Sequence, residues 1–172
     1  MLQCVSPIDG SIYVERPYAD DAAIDKALTA AQQAATDWKT VSVQDRASLC
    51  AKMVEAFCAN SDQHAEELAW QMGRPIQYGP GEVRGYKERA DCMINLAPDA
   101  LADTVLPERE GFNRFIRKVP VGVVLTVAPW NYPFLTAVNS IVPALMAGNA
   151  VILKHSHQTP LCGERMVEAG ES

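Results

Sequence analysis

Basic clusters are missing from this sequence. Its 15 lysines and arginines are outnumbered by 21 acidic residues, for a formal net charge of −6. No stripe of positive charge exists that would follow a phosphate backbone or an anionic bilayer. Nucleic acid and acidic membrane surfaces are therefore not expected as partners. Long apolar runs are missing too: each is cut by Pro, Asn or Lys before it reaches the length of a membrane span. The opening MLQCVSPIDGS has neither a positive nor an apolar segment, so no export signal is visible. Cys4 lacks the hydrophobic stretch that precedes a lipidated cysteine. These absences predict a cytoplasmic location.

The standard chemical motifs are equally scarce. Five cysteines, an odd number, stand at positions 4, 50, 58, 92 and 162 with no short spacing that suits zinc or a redox pair. All five read as reduced, structural filler. His155 and His157 alternate as metal ligands do, but no third ligand follows at a suitable spacing, and no metal is expected. Neither G-x-G-x-x-G nor G-x-x-x-x-G-K-[ST] occurs. No serine or cysteine lies beside an evident base.

What is present is a globular pattern, 48% hydrophobic and 21% charged, in two textures. VSPIDGSIYVERPYA predicts a hairpin turning at Asp9-Gly10. Asp20 and Asp21 cap a helix whose apolar face carries Ile24, Ala27, Leu28, Ala31, Ala35 and Trp38. Ser42 and Asp45 resemble a capping box ahead of Leu49, Met53, Val54 and Phe57. A third helix runs from Ser61 to Met72 and stops at Gly73. A fourth carries Val83, Tyr86, Ala90, Met93, Ile94 and Ala97, with Pro98 expected to kink or restart it.

From Phe112 the texture changes to FNRFIRKVPVGVVLTVA, first alternating, then continuously apolar, as in a strand buried on both faces. A helix from Pro133 to about Ala147, a strand AVILK and a helix opened by Thr159-Pro160 follow. The predicted class is α/β: an N-terminal hairpin and helical layer leading into the first strands of a parallel, Rossmann-like sheet. Three segments are expected: the layer over 1–110, a ribbon over 111–120, and the start of a dinucleotide-binding domain over 121–172. Two parallel strands cover too little, so the sheet is expected to continue in a longer protein or to be completed by a partner chain.

Ligands of open α/β sheets sit beyond the carboxyl ends of the strands. Two such ends are Ala128-Pro129-Trp130-Asn131-Tyr132-Pro133 and Lys154-His155-Ser156-His157. If the strands are neighbours, both line one crevice. The Asn131 amide could serve an oxygen that gains negative charge; its plainer role is to cap the next helix. Lys154 could bond ribose or phosphate; its plainer role is a solvated strand end.

VPVGVVLTVAPWNYPF, followed by IVPALMAGNAVILKHSHQTP, closely resembles the aldehyde dehydrogenase superfamily. SPIDGSIYVERPYAD resembles its N-terminal hairpin, DWKTVSVQDRASLCAKM its early helices, and GRPI its G-K-P turn. The resemblance implies NAD- or NADP-dependent oxidation of an aldehyde to a carboxylic acid through a cysteine thiolate and a thioester. It gives Asn131 the role of oxyanion donor. It places Val127, Ala128, Pro129 and Trp130 beside the nicotinamide, and Lys154, Ser156 and His157 beside the adenosine ribose. The ribbon resembles the family's oligomerisation arm, which implies a homo-oligomer or other self-association.

Two departures stand out. His155 replaces a usual proline, and His157 stands where NAD-preferring members often carry Glu. Losing that carboxylate removes repulsion of a 2′-phosphate, so NADP is expected to be tolerated. The family's nucleophilic Cys and general-base Glu have no counterparts in these 172 residues, so the chain alone is expected to be inactive. The alternative is a non-catalytic binding or assembly module derived from the same fold.

Overall fold

The computed structural model describes residues 1–172. The chain is entered through an antiparallel hairpin, β1 (Leu2–Val5) and β2 (Ile12–Arg16), with Cys4 opposite Val14. The turn between them is longer than two residues: Gly10 takes φ +77° and donates to the Ser6 carbonyl. Cys4 and Val14 form the hairpin's buried face and pack on Leu161.

Four helices follow: α1 (Asp21–Trp38), α2 (Val43–Ala59), α3 (Ser61–Met72) and α4 (Gly79–Leu101). The expected caps are in place. Asp20 accepts from the Ala23 N–H, Ser42 accepts from the Asp45 N–H, and Gly73 ends α3 in the left-handed region at φ +73°. Pro98 does not restart α4, which runs on to Leu101. Its missing N–H removes one i→i−4 bond, the one to the Ile94 carbonyl, and less than a turn of helix follows it.

A two-stranded ribbon comes next, with β3 (Thr104–Val105) antiparallel to β4 (Phe115–Ile116). It begins ahead of residue 111, because Thr104 pairs with Ile116. Then β5 (Val123–Val127), α5 (Pro133–Met146), β6 (Ala150–Lys154) and α6 (Pro160–Glu171) form a βαβ unit and its following helix. The two strands pair in parallel, Val123 opposite Ala150 through Val127 opposite Lys154.

Helical layer and βαβ unit share one core. Phe57, Leu68, Tyr86, Phe134, Val138 and Met146 belong to it, and the Phe57 and Phe134 rings meet edge-on at 5.0 Å. On the sheet's other face α1 contributes Ala31 and Ala35 against Ala150, Val123 and Ile152. That cover is incomplete. Leu125 and Val127 are 64% and 65% exposed, so β5 is not buried on both faces as its apolar run suggested. Ile24, Leu28 and Leu49 also remain exposed on faces that read as core. A mostly apolar trough of about 990 Å³ runs beside β6, lined by Ala27, Ala31, Leu49, Met53, Val151 and Ile152 among others.

Candidate active site

The two strand ends singled out in the sequence are neighbours. Val127 lies opposite Lys154, and the Ala128 N–H donates to the Lys154 carbonyl at 3.1 Å. Beyond that bond the chain turns through Pro129, Trp130, Asn131 and Tyr132 into α5, and from Lys154 it runs through His155 to His157. Val127, Pro129, Trp130, Asn131, Lys154 and His157 are exposed, Ser156 is half-buried and Ala128 is buried.

These residues do not share one hollow. Trp130 and His157 line a space of about 310 Å³ with Gln3, Pro7, Gln71 and Gln158, so the N-terminal hairpin supplies a wall. Ser156 lines a separate hollow with Leu2, Arg16, Pro160 and Glu164. The Ser156 hydroxyl accepts from the Gln158 N–H at 3.3 Å and shapes the turn into α6.

Asn131 does not cap α5. The N-cap is Tyr132, with no side-chain cap bond. The first-turn N–H of Phe134 donates instead to Glu82 Oε1 at 3.0 Å. No hydrogen bond within the chain uses the Asn131 carboxamide, which leaves it available at the rim. Its backbone is held: the Asn131 carbonyl accepts from Arg74 Nη2 at 2.7 Å. Arg74 also pairs with Glu82 through Nη1 and Oε2, and its guanidinium lies 4.6 Å from the centre of the Tyr132 ring. Burial lowers the Arg74 pKa, and Tyr132 opposes part of that shift.

Arg74 and Glu82 were not among the residues singled out from sequence. A signal for Glu82 existed: it falls on the same face of α4 as Tyr86 and Ala90, which is the face that turns to the core. A carboxylate there needs a buried partner.

His155 is half-buried. Its Nδ1 lies 3.3 Å from Thr159 Oγ1 and its Nε2 is buried without a partner. Burial pulls its pKa below the ordinary value of 6.5. His157, two residues on, is exposed, so the two imidazoles differ in environment despite their alternation.

The cysteines are all free. Cys4, Cys50 and Cys162 are buried, Cys58 is half-buried, and Cys92 is exposed rather than filling a core. Burial pushes the Cys50 thiol up to about 11 and raises Cys162 strongly. Cys4 borders the hollow that holds Trp130 and His157. Its Sγ lies 3.2 Å from the Gln158 carbonyl, which requires S–H as donor, and burial raises its pKa. It is held as a thiol, the unreactive form.

Paired parallel strands, a helical crossover and polar turns gathered at the strand C-termini are the architecture of a Rossmann-like dinucleotide-binding segment. The family model of the aldehyde dehydrogenase family matches residues 1–172, and the chain belongs to that family. A 3,6-anhydro-alpha-L-galactose dehydrogenase of Streptomyces coelicolor is 32% identical over 160 residues, covering 93% of this chain and 32% of that protein. A D-glyceraldehyde dehydrogenase (NADP(+)) of Picrophilus torridus is 28% identical, covering 95% of this chain and 33% of that one. Among solved structures, PnpE in complex with nicotinamide adenine dinucleotide superposes with TM-score 0.91 at 30% identity, over 98% of this chain and 35% of its own. The chain thus spans about a third of the length of the relatives it matches. NAD and NADP are the cofactors of this enzyme family.

Proposed function

We propose that this chain supplies the oxyanion donor and part of the cofactor wall for the NAD(P)-dependent oxidation of an aldehyde to a carboxylic acid. The observation that carries this reading is the Asn131 carboxamide. It sits unused on a turn whose backbone is anchored at Ala128, Asn131 and Phe134. A donor fixed before the reaction stabilises developing negative charge without reorganising during it.

The residues available for a dinucleotide fit the group in kind. Lys154 presents a positive charge at a strand end with no ion-pair partner and would bond ribose hydroxyls. Trp130, with Val127, Ala128 and Pro129 before it, would border the nicotinamide. His157 would lie toward the adenosine ribose, while Ser156 shapes the turn behind it. When bound, the dinucleotide accepts a hydride from the substrate carbon. The role of the protein here is to hold that cofactor and to meet the carbonyl oxygen with the Asn131 amide.

The thiolate that attacks the aldehyde is not among these five cysteines. The one that borders the hollow is held as a thiol, and the chain by itself is proposed to be inactive. It is proposed to self-associate through the ribbon and the open sheet. Val105, Phe115 and Ile116 are 78%, 45% and 58% exposed there, which favours the assembly role as a second reading.

The test is Asn131→Ala in the full-length enzyme that carries this segment. A fall in kcat of about 10²–10³-fold is expected from loss of one oxyanion donor, with cofactor affinity unchanged. An unaltered kcat overturns the assignment.

A further inference from the structure

We propose that Arg74 and Glu82 are positioning residues for Asn131, an inference that rests on the oxyanion-donor reading above. Arg74 follows the Gly73 that ends α3, and Glu82 lies in the first turn of α4. Both reach across to the start of α5. Their side chains are 12% and 1% exposed, and they pair with each other.

A buried ion pair is weak evidence of stability, because apolar residues of similar volume often serve as well or better. Apolar residues could not do what else this pair does. Arg74 Nη2 donates to the Asn131 carbonyl at 2.7 Å, and Glu82 Oε1 accepts from the Phe134 N–H at 3.0 Å. These two backbone groups bracket the turn. Between them the Tyr132 ring lies under the guanidinium, 4.6 Å from its carbon. The pair is therefore a clamp on a four-residue span, with each charge holding one end and neutralising the other.

The clamp matters because nothing holds Asn131 through its own side chain. No bond within the chain fixes its carboxamide, so its position is set by the backbone that carries it. Misplacement of a catalytic group by about 1 Å can cost on the order of 10²-fold in rate. Arg74 and Glu82 touch neither substrate nor cofactor in this scheme; they act through Asn131.

The experiment separates holding the turn from holding the fold. In Arg74→Met/Glu82→Leu both charges go together, so no lone buried charge is left and the helices stay folded. Amide hydrogen exchange on the 172-residue chain is expected to speed up at least about tenfold, on the local-opening scale, at Phe134 and Thr136, whose N–H groups are bonded at this turn. Exchange in α2 and α3 should be unchanged. In the full-length enzyme the same double variant should lower kcat about tenfold or more with KM little altered, an interaction felt in the transition state. Glu82→Gln, which keeps an acceptor for the Phe134 N–H, should lose less than Glu82→Leu.

Unchanged exchange at Phe134 and Thr136 overturns the proposal. So does an unchanged kcat in an enzyme where Asn131→Ala is slow, an outcome that leaves the oxyanion reading standing. If Asn131→Ala itself has no effect on kcat, the oxyanion reading fails instead, and the positioning role falls with it.

Discussion

Folding buries the His64 imidazole and half-buries that of His155. His64 is 1% exposed and stacks on Phe57 at 4.3 Å. Its Nε2 lies 2.9 Å from the Phe57 carbonyl and must carry the proton, since a carbonyl can only accept; Nδ1 is left buried without a partner. Burial lowers both pKa values from 6.5. The sign follows: below pH 6.5 the unfolded chain takes up protons that the folded chain refuses. Stability is therefore complete above that pH, falls as pH drops through it, and levels off below the folded values. Urea unfolding between pH 8 and 5 should show this loss, and His155→Asn should flatten part of it. Asp9 and Asp103, whose pKa values are lowered from 3.8 by Ser11 and Arg117 respectively, act in a lower window. At the exposed end of the same segment, His157→Glu should restore a charge that repels a 2′-phosphate. It should raise the NAD-to-NADP ratio of kcat/KM in the full-length enzyme, and an unmoved ratio would remove His157 from cofactor choice.

Element boundaries were legible where a local rule sets them. Asp20, Ser42 and Gly73 mark helix ends because each supplies a cap that the backbone lacks there. Gly73 is the most demanding of these: an added Cβ would meet Pro7 Cγ at 3.0 Å and φ is +73°. Gly73→Ala should cost about 1 kcal/mol or more in denaturant unfolding. Gly10→Ala, with open space around it, should cost less. The parallel pairing of β5 and β6 was also readable, from strand, helix and strand in succession. What was not legible depends on long-range placement. An apolar pattern says that Leu125, Val127, Ile24 and Leu28 suit a covered face, but not whether anything covers them. The clamp at Arg74 and Glu82 joins residues some fifty positions from the turn they hold, and no local pattern encodes that meeting. Asn131 shows the same limit in reverse: its residue type suited a helix cap, and only the fold revealed that another side chain had taken that bond.

At the scale of the molecule, exposed apolar side chains occur on most elements, and three places combine them with open backbone or a hollow. The ribbon, the uncovered side of β5 and the trough beside β6 expose apolar surface and strand edge together, a combination that favours association. Sedimentation of the chain should show concentration-dependent assembly. Phe115→Lys/Ile116→Lys should weaken it while leaving the circular dichroism of the helices unchanged. A monomer at all concentrations would count against the ribbon and the edge alike.

Helix α5 has both ends held by the layer that precedes it. Glu82 takes an N–H at its start, while Trp38 Nε1 and Arg46 Nε donate to the Leu145 and Met146 carbonyls at its finish. A negative charge at the N-terminus and a positive one at the C-terminus both complement the helix dipole. All three side chains precede α5 in the chain, and domains generally fold as units. The helical layer and the crossover helix share one core, so the layer completes both ends of α5 as that core forms. Fragments that begin after residue 100 should leave α5 frayed at both ends.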